Sequence, residues 1–350
     1  MSSRATLTDL IPSRHPLVQA PMAGAQGSAL ALAVCAAGGV GSLPAAMLSP
    51  DALQAELQIL SRQANGPWNV NFFCHRAPQV DTQAQAHWLE ALRPFYDEAG
   101  IDPASVPAGA GRVPFSDAVA DVIEPFRPPV VSFHFGLPSA PLLARVKSWG
   151  SKVLSSATTV EEALWLQAQG VDAVIAQGLE AGGHRGMFLS DQLGTQLGTF
   201  ALVPQLVAAV RVPVIAAGGI AHADGVRAAM ALGAAGVQVG TAYLCCPEAT
   251  TSPLHRAALM SDAARHTELT TLFSGRPARG IVNRLMRELG SLNPAAPAFP
   301  LATAAVAPLR AHFEALGRTD CTPLWSGQNA SGCQASPAAE ITAALARGFD

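Results

Sequence analysis

The chain has 350 residues, of which 49% are hydrophobic and 13% are charged, so it can bury a large core. This composition excludes an intrinsically disordered protein. The formal net charge is −3, with only two lysines and no basic run, which excludes a dedicated nucleic-acid-binding surface.

The ends of the chain and its cysteines predict a cytoplasmic protein. Residues 1–10 are mostly polar and lack the apolar stretch of a signal peptide. The longest apolar tract, 29–48, is interrupted by glycines and by Pro44, so it predicts a buried helix and a strand rather than a membrane span. The six cysteines show no CxxC or zinc-like spacing, which predicts reduced thiols and no metal site.

Short apolar runs alternate with helical patterns over about the first 245 residues. Strands that alternate with helices predict a parallel sheet, and eight repeats favour a closed TIM (β/α)8 barrel over an open doubly wound sheet. No GxGxxG follows the first strand. Thr159 and Glu162 predict a capping box at the start of one helix. The predicted strands are 17–22, 40–43, 68–73, 129–136, 152–156, 172–177, 212–217 and 236–240.

The regular spacing lapses between residues 75 and 128, where two helices are predicted at 82–99 and 116–124. A connection of this length in a compact fold is usually functional. After residue 246 the pattern changes to helices and loops. The predicted organisation is a barrel over 1–246 with an insertion at about 75–128, a smaller, mainly helical second domain or lid over 247–321, and a C-terminal segment, 322–350, that returns to the barrel.

The sequence GLEAGGHRG, residues 178–186, directly follows the predicted strand 172–177. Gly182 and Gly183 have no Cβ, so the backbone can turn with positive φ and approach a ligand closely. His184 then lies at the carboxyl end of a strand, where α/β folds place their chemistry. The alternative is a glycine turn with a surface histidine.

Two further strand ends carry the features of a phosphate site. Gly218 and Gly219 close the seventh predicted strand, and Gln238, Val239, Gly240 and Thr241 close the eighth. In TIM barrels a phosphate often binds at these two loops through backbone N–H groups. Tight strand-to-helix turns are the alternative explanation for these glycines.

Met22, Asn71 and Gln177 complete a ring of strand ends. Amide side chains supply both donors and acceptors, which the pyrimidine edge of a flavin requires. Alternatively, the two amides tie loops together and Met22 is part of the core.

His184 and His134 are the two histidines predicted at strand ends, and histidine can hold or transfer a proton near neutral pH. His134 lies in an apolar run, so a hydrogen-bonded core histidine is an equally good interpretation. His75 is a weaker third candidate. The remaining histidines are predicted to lie at the surface: His15, His87, His222, His255, His266 and His312. The sequence lacks HExxH, GxSxG and P-loop motifs.

Seven motifs in chain order together resemble the nitronate monooxygenase family, formerly called 2-nitropropane dioxygenase. The match runs from about residue 11 to 283, with a weaker echo in WSGQ at 325–328, and the pair SFHFG and AGGHRG is its most specific part. The motifs are QAPMAG (19–24), NVNFF (69–73), SFHFG (132–136), QGLEAGGHRG (177–186), PVIAAGGI (213–220), QVGTAYL (238–244) and SGRPARGIVN (274–283).

The resemblance implies an FMN-dependent TIM-barrel enzyme that oxidises alkyl nitronates, such as propionate 3-nitronate, with O2. It implies a flavin semiquinone, a carbonyl product and nitrite or nitrate. We expect a monomer or homodimer without nucleic-acid or membrane partners. His184 would be the catalytic histidine, as base or as anion partner, and His134 would help bind the substrate. The implied FMN contacts are Met22, Asn71, Gln177, Gly182, Gly183, Gly218, Gly219, Gln238, Val239, Gly240 and Thr241.

Two other functions remain open at this point. The first is an NAD(P)H-dependent FMN reductase, of the quinone or enoyl-acyl-carrier type, which shares the GGH block. The second is a flavin- or phosphate-binding protein without turnover. A histidine beside the flavin argues against the second, because binding alone needs no such group.

Overall fold

A computed structural model describes residues 6–79, 81–106 and 112–350. Eight of its strands form one sheet in the order β1-β9-β8-β6-β5-β4-β3-β2, and all paired neighbours are parallel. The strands of the described residues are β1 (Leu17–Gln19), β2 (Gly41–Pro44), β3 (Trp68–Phe73), β4 (Val130–His134), β5 (Lys152–Ala157), β6 (Ala173–Gln177), β7 (Gly183–His184), β8 (Val214–Ala217), β9 (Gly236–Val239), β10 (Thr267–Thr270) and β11 (Ala278–Ile281).

The sheet closes on itself between its first two strands in the chain. Val18 forms a parallel bridge with Val40, and the Val40 N–H donates to the carbonyl of Leu17 over 2.8 Å. The TIM barrel predicted from the eight repeats is therefore confirmed. Its parallel register brings the carboxyl ends of all eight strands to one rim.

The barrel strands alternate with helices that cover the outside of the sheet. The helices of the described residues are α1 (Leu7–Leu10), α2 (Ser28–Ala36), α3 (Pro50–Gln63), α4 (Thr82–Ala99), α5 (Asp117–Ile123), α6 (Ala140–Ser148), α7 (Val160–Ala168), α8 (Thr199–Ala209), α9 (Ala223–Ala231), α10 (Pro253–Leu259), α11 (Arg284–Leu289), α12 (Ala302–Ala315) and α13 (Ala338–Ala346). No helix within the described ranges combines the length and the apolarity needed to cross a membrane.

The inside of the barrel is filled rather than hollow. Inward-facing aliphatic side chains such as Val130, Leu154 and Ile215 form one buried cluster with Leu7 and Ile11 from the N-terminal segment. Burying each such side chain stabilises the fold by about 1.5–3 kcal/mol. Because the interior is occupied, a ligand must bind outside it, and TIM barrels place their active sites at the carboxyl rim.

A second core lies outside the barrel. Trp88 and Tyr96 of α4 are buried against α12, and the indole N–H of Trp88 donates to the carbonyl of Ala302 over 3.2 Å. The long segment after β3 therefore contributes a helix to the second core, together with residues from beyond β9. The second part of the chain also contains β10 and β11, which form an antiparallel sheet with β7.

Candidate active site

One cavity of about 370 Å³ opens at the carboxyl rim of the barrel, and all thirteen site residues predicted from the sequence line it. They come from six of the eight barrel strand ends or the loops that follow them, which explains how positions far apart in the chain converge. Those residues are Met22, Asn71, His134, Gln177, Gly182, Gly183, His184, Gly218, Gly219, Gln238, Val239, Gly240 and Thr241.

The loop after β6 is held in place by its own side chains. Arg185 is fully buried and donates to the carbonyls of Gln177 and Gly178, both over 2.7 Å. The Gln177 amide donates to the carbonyl of His184 over 2.9 Å and accepts from the N–H of Gly186 over 2.7 Å. Gln177 thus ties the loop together, as the alternative interpretation of this residue proposed.

Gly182 is required because the C-terminal segment passes directly over it. A Cβ at this position would lie 2.6 Å from the backbone nitrogen of Gly327 and from the carbonyl carbon of Ser326. No side chain fits that distance. Gly183 has φ of +69°, and the strand it begins pairs with β11, so this loop joins the barrel to the small antiparallel sheet.

The ends of β8 and β9 present unpaired backbone donors to the cavity. Gly218 and Gly219 have φ of +118° and +72°. Within the described residues, the N–H groups of Gly219 and Gly240 donate no hydrogen bond. Thr241 Oγ1 accepts from the N–H of Gly327 over 2.9 Å. Donors of this kind at the last two barrel loops suit a phosphate.

Polar side chains near these backbone donors leave hydrogen-bond acceptors free for a ligand. The Oε1 atom of Gln238 is buried without a hydrogen-bond partner in the described residues. Asn71 uses its amide nitrogen on Ser132, with 2.9 Å to the hydroxyl, and its carbonyl oxygen forms no hydrogen bond there. An orphaned buried acceptor costs stability unless a ligand donates to it. The N–H of a flavin pyrimidine is such a donor, so these residues fit a flavin.

His184 forms part of the cavity wall. Its Nε2 is 2.8 Å from the hydroxyl of Ser274, and its Nδ1 has no hydrogen-bond partner in the described residues. The ring packs against Phe299 and Trp325, with centroids 5.3 and 5.5 Å away. Burial lowers the pKa of His184 well below its usual range, and the nearby Arg112 guanidinium lowers it further. The imidazole is therefore neutral near pH 7.

His134 uses both ring nitrogens inside the protein. Its Nε2 donates to the carbonyl of His184 over 3.1 Å, because a carbonyl can only accept, and its Nδ1 then accepts from the hydroxyl of Ser156 over 3.0 Å. Burial lowers the pKa of His134 to about 4. Although His134 lines the cavity, these bonds favour a role in positioning the loop of His184 over direct substrate binding.

The structure adds residues that the sequence prediction missed. Ser274 and Trp325 contact His184, and both lie in motifs quoted for the family resemblance without any role assigned to them. Arg112 lines the cavity but follows a glycine- and proline-rich run that carries no signal for it. The prediction that His255 lies at the surface is wrong. It is buried, lines the cavity, and donates to the carbonyl of Trp325 over 3.1 Å.

Within the described residues, no group of three or more His, Cys, Asp or Glu side chains is arranged to hold a metal ion.

Comparison with known proteins identifies the family. The model of the nitronate monooxygenase family matches residues 4–348. The chain belongs to the nitronate monooxygenase family. It is 40% identical to the nitronate monooxygenase of Paraburkholderia phytofirmans, over 99% of this chain and 95% of that one. It is 39% identical to the nitronate monooxygenase of Pseudomonas aeruginosa, over 97% of each chain.

Solved structures agree with this assignment. Nitroalkane oxidase from Streptomyces ansochromogenes superposes with a TM-score of 0.87 at 38% identity and covers 98% of each chain. FabK from Thermotoga maritima superposes with a TM-score of 0.73 at 26% identity, over 98% of this chain and 95% of that one. The chain is therefore an oxidoreductase and a flavoprotein of the nitronate monooxygenase family. The alternative of a binding protein without turnover does not fit these relatives.

Proposed function

We propose that this enzyme uses FMN and O2 to oxidise alkyl nitronates, such as propionate 3-nitronate, to a carbonyl compound and nitrite or nitrate. The observation that carries the proposal is the cavity at the carboxyl rim of the barrel. It combines a backbone cradle for a phosphate, an orphaned buried amide acceptor and a neutral histidine. Family membership supports the same reaction class.

The cavity offers separate places for the two ends of FMN. The backbone N–H groups of Gly219 and Gly240 would bind the phosphate, with the Thr241 N–H beside them. Gln238 and Asn71 would accept hydrogen bonds from the ring system, and Met22 would pack against it. When bound, FMN accepts electrons from the substrate and delivers them to O2.

The protein's own contribution is binding, orientation and proton handling. If the Nε2–H of His184 donates to Ser274, the lone pair of Nδ1 faces the cavity. A neutral imidazole in this tautomer can accept a proton from the α-carbon of a nitroalkane. A nitronate has already lost that proton, so with nitronates the ring serves to orient the substrate. Phe299 and Trp325 hold the ring at a fixed angle.

The direct test is to follow O2 consumption and nitrite release with propionate 3-nitronate, and in parallel NADH oxidation with a quinone. The proposal predicts O2 consumption with nitrite release, and negligible NADH oxidation. An enzyme with full FMN content that consumes no O2 with any alkyl nitronate would contradict it. Mass spectrometry of the extracted flavin distinguishes FMN from FAD.

A second candidate function is an NAD(P)H-dependent FMN reductase. The observation that favours it is the similarity to FabK over nearly the whole chain. We rank the reductase below the nitronate oxidase, because the nitroalkane oxidase structure has the higher identity and the higher TM-score.

We also assign the enzyme to the cytoplasm, as a monomer or homodimer that acts on a small-molecule nitronate. The six cysteines are all unpaired thiols, which supports a reducing compartment.

A further inference from the structure

The charge of the cavity wall points to an anionic ligand. Among the described residues that line the cavity, Arg112 and Arg310 are the cationic side chains with fixed charge, and none is a carboxylate. Arg310 is compensated by Glu314, with 2.7 Å between Nε and Oε1. Arg112 forms no ion pair within the described residues, and the residues outside those ranges contain no Asp or Glu.

The guanidinium of Arg112 is held at the same end of the cavity as His184. Its centre lies 5.5 Å from the centroid of Phe299, and Phe299 also packs against His184. The Nη1 atom is buried and makes no hydrogen bond within the described residues. A buried charged donor without a partner is costly unless a ligand satisfies it. The flavin phosphate cradle lies elsewhere, at the ends of β8 and β9.

His75 fixes the backbone that carries this guanidinium. Its Nε2 donates to the carbonyl of Arg112 over 2.9 Å, and its ring packs edge-on against Phe299 with centroids 4.8 Å apart. Burial lowers the pKa of His75, so the ring stays neutral and acts as a hydrogen-bond donor rather than a charge.

The other basic groups near His184 are less suited to bind an anion. Arg276 stacks on Phe135 at 4.1 Å from the ring centroid, donates to the carbonyl of Met187, and does not line the cavity. His184 itself is neutral near pH 7. This leaves Arg112 as the cavity-lining arginine whose positive charge has no ion-pair partner within the described residues.

We propose that Arg112 binds the anionic oxygens of the nitronate and sets the preference for nitronates over neutral nitroalkanes, with His75 as its positioning residue. This inference rests on the proposed function. The two residues then have different roles, since Arg112 provides the positive charge and His184 provides a neutral ring. A guanidinium suits the two coplanar oxygens of a nitronate because it can donate two parallel hydrogen bonds.

The test uses FMN-loaded full-length enzyme and two readouts. The first is KM and kcat for ethyl nitronate. The second is the competitive inhibition constant of nitrate, a planar and unreactive oxyanion. Arg112→Gln should raise both KM and the nitrate constant about 10- to 100-fold and change kcat by less than about threefold. Arg112→Lys should retain most of the affinity, because the charge remains.

The matched control is Arg310→Gln, which removes the same charge from a paired arginine in the same cavity and should change nitrate affinity by less than about twofold. His75→Phe keeps a ring against Phe299 but loses the hydrogen bond, and should raise KM several-fold without changing kcat. Circular dichroism and flavin content verify that each variant is folded.

Unchanged nitrate inhibition in folded, FMN-loaded Arg112→Gln would overturn the inference. Equal losses of nitrate affinity in Arg112→Gln and Arg310→Gln would also overturn it, because they would show that nitrate responds to the total charge of the cavity and not to Arg112 in particular. If the wild type oxidises no nitronate yet binds nitrate in an Arg112-dependent way, the proposed function fails and the anion site stands.

Discussion

Replacement of His184 by asparagine should separate the two classes of substrate. The imidazole has Nε2 held 2.8 Å from the hydroxyl of Ser274, and its Nδ1, at the cavity wall, has no hydrogen-bond partner in the part of the chain that the structure describes. If this nitrogen removes the α-proton of a neutral nitroalkane, its loss removes general-base catalysis. That contribution is typically 10²- to 10⁴-fold, or about 3–5 kcal/mol. With a pre-formed nitronate no proton is removed, and only an orienting contact is lost. This contact is worth about 0.5–1.5 kcal/mol, or about 2- to 10-fold.

The assay compares freshly dissolved nitroethane with ethyl nitronate prepared in base, with O2 consumption measured for both. The FMN content of His184→Asn should equal that of the wild type, because the flavin cradle lies on β8 and β9. Ser274→Ala should show a smaller loss in the same direction, since it only releases the ring. In the wild type, deuterium at the α-carbon should slow nitroethane turnover.

Two outcomes would refute the reasoning about His184. Equal losses on nitroethane and ethyl nitronate would show that the ring does not act as a base. An unchanged rate on both substrates would remove His184 from the mechanism.

Three further predictions concern the phosphate-binding glycines proposed at the ends of β8 and β9, the buried histidines and the loop after β6. Gly219→Val should yield flavin-free protein. The control is Gly317→Val, at an exposed glycine with almost the same φ (+73° against +72°), and this variant should keep its FMN. A yellow, fully loaded Gly219→Val enzyme would show that this glycine does not help to bind the phosphate. Burial lowers the pKa of His134 and of His255 to about 4 in the folded protein, against about 6.5 in the unfolded chain, so the unfolded chain binds more protons between these pH values. As pH drops from about 6.5 to 4, the folded state should lose about 3 kcal/mol of stability per histidine, and the melting temperature should fall. A melting temperature that does not change over this pH range would contradict the burial of the two rings. Arg185→Met leaves the Gln177 carbonyl and Gln196 Oε1 without their donor and removes one of the two donors to the Gly178 carbonyl, which also accepts from the N–H of Ala181. The substitution should cost about 3–5 kcal/mol in unfolding free energy, measured by denaturant titration, whereas a loss below about 1 kcal/mol would show that this arginine does not hold the loop after β6.

The barrel was predictable because its signal is periodic and local. Each strand is a short apolar run bounded by glycine, proline or a helix start, and eight repeats leave few topologies. Residues at the carboxyl ends of parallel strands must meet at one rim. For this reason Gly182, Gly219 and Gly240 could be placed in one cavity without knowing any distance.

The predicted capping box shows where local rules reach their limit. Thr159 caps its helix, since its hydroxyl accepts from the N–H of Glu162 over 3.2 Å. The Glu162 carboxylate, however, accepts from the N–H of Thr158 and from the N–H of Phe188, over 2.7 and 2.6 Å. A tertiary contact with the loop after β7 therefore replaced the second half of the motif.

Contacts between distant segments could not be read from the sequence. Arg112, His255 and Trp325 come from three separate parts of the chain and meet only in the folded cavity. A lone histidine or arginine has no periodicity that predicts burial. The second core is similar, because the helix containing Trp88 contacts a helix more than 200 residues later.

The most direct test of the central claim is an anaerobic absorbance titration of the purified enzyme. The account predicts a yellow protein with oxidised-flavin bands that propionate 3-nitronate reduces rapidly and NADH leaves unchanged. Bleaching by NADH with an inert nitronate would contradict it and favour the reductase. A colourless protein that FMN cannot restore would contradict the assignment of the cavity to FMN.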